Sequence, residues 1–525
     1  MDDQKGSRLW SRGLSRAQWL PISILLCALV LLPLFLVTVP PLVDYPNHLA
    51  RCSILAQLPH SPLLSSIYEP RNVVLPNLAM DAIVVPLCHV MPALLAGKIF
   101  CGLVLLVMFT GGIALNAACG RKLTLWSFVP ALLLYNHIYV FGFLNYLFGI
   151  GLMLWGLAGW IYLRERPWGW RIGTAASFAV VLFFCHLMAV FFFGVALLGW
   201  EISHWRRDAT RRFGTLRRDL GLLALVFIAP ILLLKMSPTQ AEVGVYLWDT
   251  WANKWNEALQ LARIDPSHWD ETWTYALFAV VGLAFALGVL KVEKRMRLAV
   301  GLVFVAFIAL PLSFATSSEV DVRVPIVCAL LLLASSEFRF SRPKLLPYTI
   351  VATSALFGLR MVQVTLHWSD YGKISDQLAH DISVVPPASL VFTAADRHVE
   401  LYEEEGWDPP LIHVALLAAP RGVFFPQIFA LPNQHPLAIR PEFHNIGKFE
   451  GSDPLTLLGG SWVPDLVERC RRRAGGPNFL PPALNRGTYL LVFTTPNQHL
   501  SPSPDADLLV QRERYALFRI HLGAG

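Results

Sequence analysis

The stretch VTVPPLVDYPNHLARCSIL, residues 37–55, follows an apolar run that covers residues 18–40. Within eight positions it places Asp44, Asn47, His48 and Arg51. A membrane helix that merely stops needs a few charges for solubility. This one stops with an acid, a titratable base and a guanidinium grouped together. Pro46 suits the first turn of a helix. A helix starting there puts His48, Arg51 and Leu55 on one face, with Asp44 just before its N-terminus. Two readings fit. In the plain one, Asp44 or Asn47 caps the helix while His48 and Arg51 meet lipid head groups. In the functional one, a carboxylate at the membrane surface takes a proton from an attacking hydroxyl, and a nearby arginine holds a phosphate leaving group.

The rest of the chain decides what kind of protein carries this stretch. Of 525 residues, 55% are hydrophobic and only 15% charged, and the mean hydropathy is +0.51. Soluble domains carry far more charge, and repeated apolar runs of about 20 residues read as membrane helices. The chain reads as a mainly α polytopic membrane protein embedded in the lipid bilayer. The net charge of +7 does not point to nucleic acid, because the cations sit in short clusters between apolar runs, the pattern of cytoplasmic loops. Of the eight cysteines, Cys52 and Cys470 lie outside the apolar runs and could pair in an oxidising compartment.

Hydropathy gives about eleven transmembrane helices, near 18–40, 73–93, 97–119, 124–141, 143–163, 172–200, 220–236, 273–290, 298–315, 324–338 and 346–366. The first is expected to remain uncleaved. Lys5, Arg8, Arg12 and Arg16 put the N-terminus in the cytoplasm. The basic loop 204–219 then returns inside after six crossings. On the same count Arg121, Lys122, Arg164, Arg166 and Arg171 fall outside. Either the hairpin at 124–163 is miscounted, or those cations hold an anion such as a lipid phosphate. The outer loop 237–272 carries Trp248, Trp251 and Trp255 at helical spacing. That face suits the membrane interface or the stacking of a sugar ring.

Two domains follow from composition: a transmembrane domain, residues 1–366, and a C-terminal extracytoplasmic α/β domain, 367–525. In the second, SLVFTA (389–394), TYLLVF (488–493) and YALFRIHL (515–522) read as strands, and 370–383 as a helix. Inside the membrane, Asp81, Asn145, His186 and Arg360 are polar residues in expensive places. Arg360 calls for an anion. Glu319, Asp321 and Arg323 lie together at the outer end of the ninth run. The sequence has no Walker loop, no G-x-S-x-G elbow, no H-E-x-x-H and no zinc-ligand spacing.

VDYPNHLAR after the first helix, NLAMDAIVVPLCHVMPALLAGKIFCGLVLL (77–106), GRK (120–122) and DVRVP (321–325) together resemble the GT-C superfamily of membrane glycosyltransferases, in its protein-mannosyltransferase-like branch. The resemblance covers the layout of all eleven helices. It implies a polyprenyl-phosphate-linked sugar as donor, an unnamed acceptor and inverting transfer at the outer face of the membrane. The expected setting is a bacterial inner membrane. Asp44 matches the family's catalytic acid and would be the general base, with His48 orienting the acceptor or sharing the proton. Arg51, Arg121, Asp321, Arg323 and Arg360 would bind substrate or lipid phosphate. The family usually shows two adjacent acids, whereas Tyr45 follows Asp44 here. That departure implies a single-carboxylate mechanism. No cofactor is signalled; a divalent metal is compatible with the class, but no metal ligands are marked by spacing. Rival classes are a transporter or lipid flippase, which predicts inverted repeats, and a non-catalytic envelope assembly protein. No convincing repeat relates the two halves, and long outer loops suit a surface enzyme better.

Overall fold

The computed structural model describes residues 14–120, 123–206, 213–241, 246–264, 268–314, 319–338, 346–396, 409–431, 433–447, 455–457, 463–474, 481–494, 496 and 499–521. Arg121 lies outside the described residues. By its internal contacts the chain divides into two units. One comprises Met1–Leu36, Val74–Ala79 and Ile99–His367; the other comprises Val37–Val73, Met80–Lys98 and Trp368–Gly525.

Seven described helices are long and apolar enough to cross a membrane: Arg16–Leu36, Ala93–Ala118, Leu144–Glu165, Trp168–Cys185, Leu187–Trp205, Gly214–Met236 and Ile350–Val384. Shorter apolar helices, Thr272–Ala286, Arg297–Ala309 and Val324–Ala334, belong to the first unit. Within that unit glycines bring helices into backbone contact. A Cβ on Gly151 would lie 2.6 Å from the Met108 nitrogen, and one on Gly199 would lie 2.5 Å from the Ala299 Cα. Small residues at such crossings let dispersion act where water offers no hydrophobic drive.

Three crossings differ from the sequence reading. The run 172–200 is two helices, Trp168–Cys185 and Leu187–Trp205, folded back at His186. Cys185 and Ala189 both face Gly149, and Phe178 and Phe193 both face Gly156. The turn is made by one polar residue with extended backbone, φ −171° and ψ 137°, so hydropathy sees no gap. The expected crossing 73–93 holds a helix of 10 residues, Ala79–Cys88, with Pro86 inside it. At ~1.5 Å per residue it covers only about 15 Å of a core about 30 Å thick. The run 124–141 is a 3-10 helix, Leu125–Leu133, followed by a one-turn helix, His137–Val140. The last helix, Leu346–Asp381, runs on through the stretch read as a separate helix.

Polar contacts in the first unit fall into two sets, and consecutive helices run from one to the other. In one set Leu14 donates to the Leu123 carbonyl, Asn116 donates to the carbonyls of Ala334 and Ser336, and Leu290–Val292 pairs with Ser336–Phe338. Arg171 pairs there with Glu201 at 2.5 Å and lies over the Trp160 ring. In the other set Asn145 donates to the Asn77 carbonyl, Leu78 to that of Phe184, and Arg323 meets His186. The helices Leu144–Tyr162, Leu187–Trp205 and Val324–Ala334 all begin in this second set.

The second unit is built on a five-stranded sheet in the order Leu455–Leu457, Leu390–Asp396, Thr488–Phe493, Tyr515–Ile520, Ala506–Gln511. The first three strands run parallel; the last two pair antiparallel. The Thr488–Phe493 strand is buried throughout, as its unbroken apolar run requires. Residues that follow the first membrane helix belong to this unit. Tyr68–Pro70 pairs antiparallel with Leu437–Ile439, and Arg440 donates to the Ser65 carbonyl at 2.7 Å. Cys52 and Cys470, which could have paired, form no disulfide: both are buried, and Cys52 Sγ lies 3.7 Å from the Asp81 carboxylate.

Candidate active site

In the second unit the opening stretch forms the helix Tyr45–Gln57, with Pro46 in its first turn and Asp44 at its N-cap. Asp44 is half-buried, and its side chain makes no capping bond. Asn47 does not cap either. Its amide donates to the Gln427 carbonyl at 2.9 Å, and its oxygen accepts from the Phe429 N–H at 2.7 Å. It clamps a turn of the C-terminal part of the unit. His48 and Arg51 are buried in protein rather than facing head groups, so the plain reading of a capped anchor does not describe this helix.

Arg51 is committed to Asp81. Its Nε and Nη2 donate to the two carboxylate oxygens at 2.9 and 2.7 Å. The pair is buried, and the forked geometry is the strong one. The remaining Nη1 has no acceptor among the described residues. His48 packs against the edge of Phe429, with ring centroids 5.0 Å apart, and Phe429 stacks on His435. Burial first, and then the nearby charge of Arg51, hold His48 well below the usual imidazole range. It is therefore neutral, and a neutral imidazole can accept or orient a proton.

In the first unit Arg323 is the N-cap of Val324–Ala334. Its guanidinium lies 4.1 Å over the Phe143 ring and its Nη1 is 3.2 Å from His186 Nε2. Tyr146 donates to its carbonyl at 2.8 Å. Asp321 and Arg360 do something different. Asp321 is fully buried and pairs with Lys254, which also donates to the Leu310 carbonyl. This tie pins the helix Trp251–Leu259, whose Trp251 and Trp255 point outward. Arg360 donates to the carbonyls of Tyr135 and Ala262 and to Gln363. A buried cation can be satisfied by backbone dipoles as well as by an anion, which the sequence alone does not distinguish. Reading Lys254 required knowing that the helix turns it inward. His186, visible in the sequence only as a polar residue inside an apolar run, stands at a helix break beside Arg323. No group of three or more His, Cys, Asp or Glu able to hold a metal occurs among the described residues.

This is the GT-C fold that the sequence resemblance implied, in an integral membrane protein. Two solved structures carry the likeness, both of ArnT from Cupriavidus metallidurans. The one bound to undecaprenyl phosphate matches with a TM-score of 0.53 at 11% identity, over 97% of this chain and 99% of that one. The apo structure matches with a TM-score of 0.54 at 11% identity, over 95% and 97%. At such identity the likeness concerns the fold, and it does not extend to the protein-mannosyltransferase-like branch. The sequence matches no protein-family profile and no characterised protein.

Proposed function

We propose that the protein transfers a sugar from a polyprenyl-phosphate-linked donor to an acceptor at the outer face of the membrane. The observation that carries this reading is the fold, shared over nearly the whole length of both chains with a protein bound to undecaprenyl phosphate. Asp44 fits the role of general base: it is half-buried, caps nothing and precedes a helix anchored by buried groups. His48, held neutral, orients the acceptor or shares the proton. Arg323 holds the phosphate that leaves; a well-placed donor of this kind contributes about 3 kcal/mol to the transition state. Arg51, Asp321 and Arg360 are assigned a supporting role, since each is already engaged within the protein. The test is Asp44→Asn assayed with lipid-linked sugar donors, where loss of turnover with retained folding is expected.

The same reading includes a topology. Ala79–Cys88 is left out, and 168–205 counts as two crossings. Eleven crossings remain, and the basic clusters between crossings land inside: 120–122, 164–171, 204–219, 291–297 and 338–344. The cations that earlier fell outside come into line with the positive-inside rule. Residues 367–525 lie outside, as does the end bearing Arg323. On this count Arg121 is cytoplasmic and leaves the phosphate-binding set.

A further inference from the structure

Three helices in the first unit begin at one place. Phe143 is the N-cap of Leu144–Tyr162, His186 of Leu187–Trp205 and Arg323 of Val324–Ala334. The three residues touch: Arg323 lies over Phe143, and its Nη1 is 3.2 Å from His186 Nε2. The Tyr146 ring meets His186 edge-on at 5.3 Å. Each helix start presents N–H groups and the positive end of its dipole. A guanidinium placed among three such ends adds to the positive field rather than offsetting it. Of the nearest acids in the sequence, Asp321 is engaged with Lys254, and Glu319 lies within the electrostatic reach of Arg323.

Hydrogen-bond accounting at His186 adds an independent point. Its Nδ1 accepts the Met188 N–H at 3.2 Å, which closes the N-cap. A neutral ring that accepts at Nδ1 carries its proton on Nε2. That N–H then faces an N–H of Arg323. The other tautomer merely moves the conflict to Met188. Two donors 3.2 Å apart are compatible when one oxyanion accepts from both.

We infer that His186 is a further substrate-binding residue: an N–H donor, fixed by its own N-cap bond, that joins Arg323 in holding a phosphate monoester. The inference deepens the proposed function, since it adds a second ligand to the phosphate that Arg323 is assigned there. The shared chemistry is a tetrahedral phosphate; a prenyl phosphate and free phosphate are its two sources.

The test is binding to the detergent-purified full chain, read by thermal stabilisation and tryptophan fluorescence. The probes are farnesyl phosphate, farnesol and inorganic phosphate. Farnesyl phosphate should stabilise the wild type and farnesol should not. His186→Asn keeps a side chain that caps the helix but loses the Nε2 donor. It should retain the ligand-free melting temperature and bind farnesyl phosphate about tenfold or more weakly. His186→Ala removes both and should melt lower. Should His186→Asn fail to fold, Arg323→Lys, which keeps the charge and loses the fork, should show the same weakened binding. Protection by inorganic phosphate that His186→Asn also weakens would support the site with free phosphate as its source. Equal binding of farnesyl phosphate by wild type and a folded His186→Asn, or equal binding of farnesol and its phosphate, would overturn the inference. These readouts do not depend on turnover. Loss of transferase activity with binding intact would count against the proposed reaction alone.

Discussion

Arg51 and Asp81 are joined by two parallel hydrogen bonds, 2.9 and 2.7 Å, in a site where neither side chain is more than 8% exposed. Thirty residues of sequence separate them. The pair fastens the helix that carries His48 to the short helix Ala79–Cys88. Removing one partner of a buried pair leaves an uncompensated charge, at about 3–5 kcal/mol. Asp81→Asn should therefore lower the melting temperature and the yield of folded protein. Arg51→Lys should do so too, because an ammonium cannot reproduce the fork. An Arg51→Lys protein with wild-type stability and weakened phosphate binding would instead return Arg51 to the ligand.

The buried histidines make stability acid-sensitive. His48, His413 and His435 all lie below the ordinary imidazole value of 6.5 because of burial, His413 at about 4. The unfolded chain takes up protons first as pH falls through about 6.5, so folding weakens from there down to the folded values. Each group contributes up to about 1.4 kcal/mol per pH unit inside that window. Melting temperatures should fall steeply between pH 6.5 and 5 and flatten in part in His413→Gln. A curve that His413→Gln leaves unchanged would remove this histidine from the account.

Glycine contacts in the bundle are similarly exposed to test. Gly199→Val puts a branched side chain where a Cβ alone would lie 2.5 Å from Ala299 Cα. Overpacking of this kind costs about 1–3 kcal/mol. Gly173→Ala, inside a helix where nothing stands within 4 Å, should instead stabilise by up to about 1 kcal/mol. Thermal unfolding of the two variants separates close packing from mere helix propensity.

Topology is tested by cysteine labelling from either side of sealed vesicles, against the background of the native thiols. Arg166→Cys and Thr215→Cys should label from the inside, and Ser501→Cys from the outside. Arg166 is the decisive position, because the crossings read from sequence placed it outside. Labelling of Arg166→Cys from outside would restore the original count.

Much of this architecture was legible in the sequence because the bilayer fixes helix length and composition. The strands at 389–394, 488–493 and 515–522 were legible too, by their β-branched and aromatic content; all three occur within a residue or two of the reading. The hairpin at His186 was not, since a turn of one residue leaves no hydropathy minimum. Nor was the membership of residues 37–73 in the C-terminal unit. Strand pairing between Tyr68–Pro70 and Leu437–Ile439 joins segments more than 360 residues apart, and no local pattern encodes a partner at that distance. In the candidate site the residue types were visible while their commitments were not. Arg51 and Asp321 read as charges near the membrane surface and Arg360 as one inside it, and each turned out to have its own protein partner.

The most direct measurement of the central claim is the turnover of Asp44→Asn with a polyprenyl-phosphate-linked sugar donor. The amide keeps the size of the side chain at the N-cap position, so the variant should fold and still bind the prenyl phosphate. Loss of the base should lower the rate by about 10²–10⁴-fold. A folded Asp44→Asn protein that transfers sugar at the wild-type rate would contradict the account.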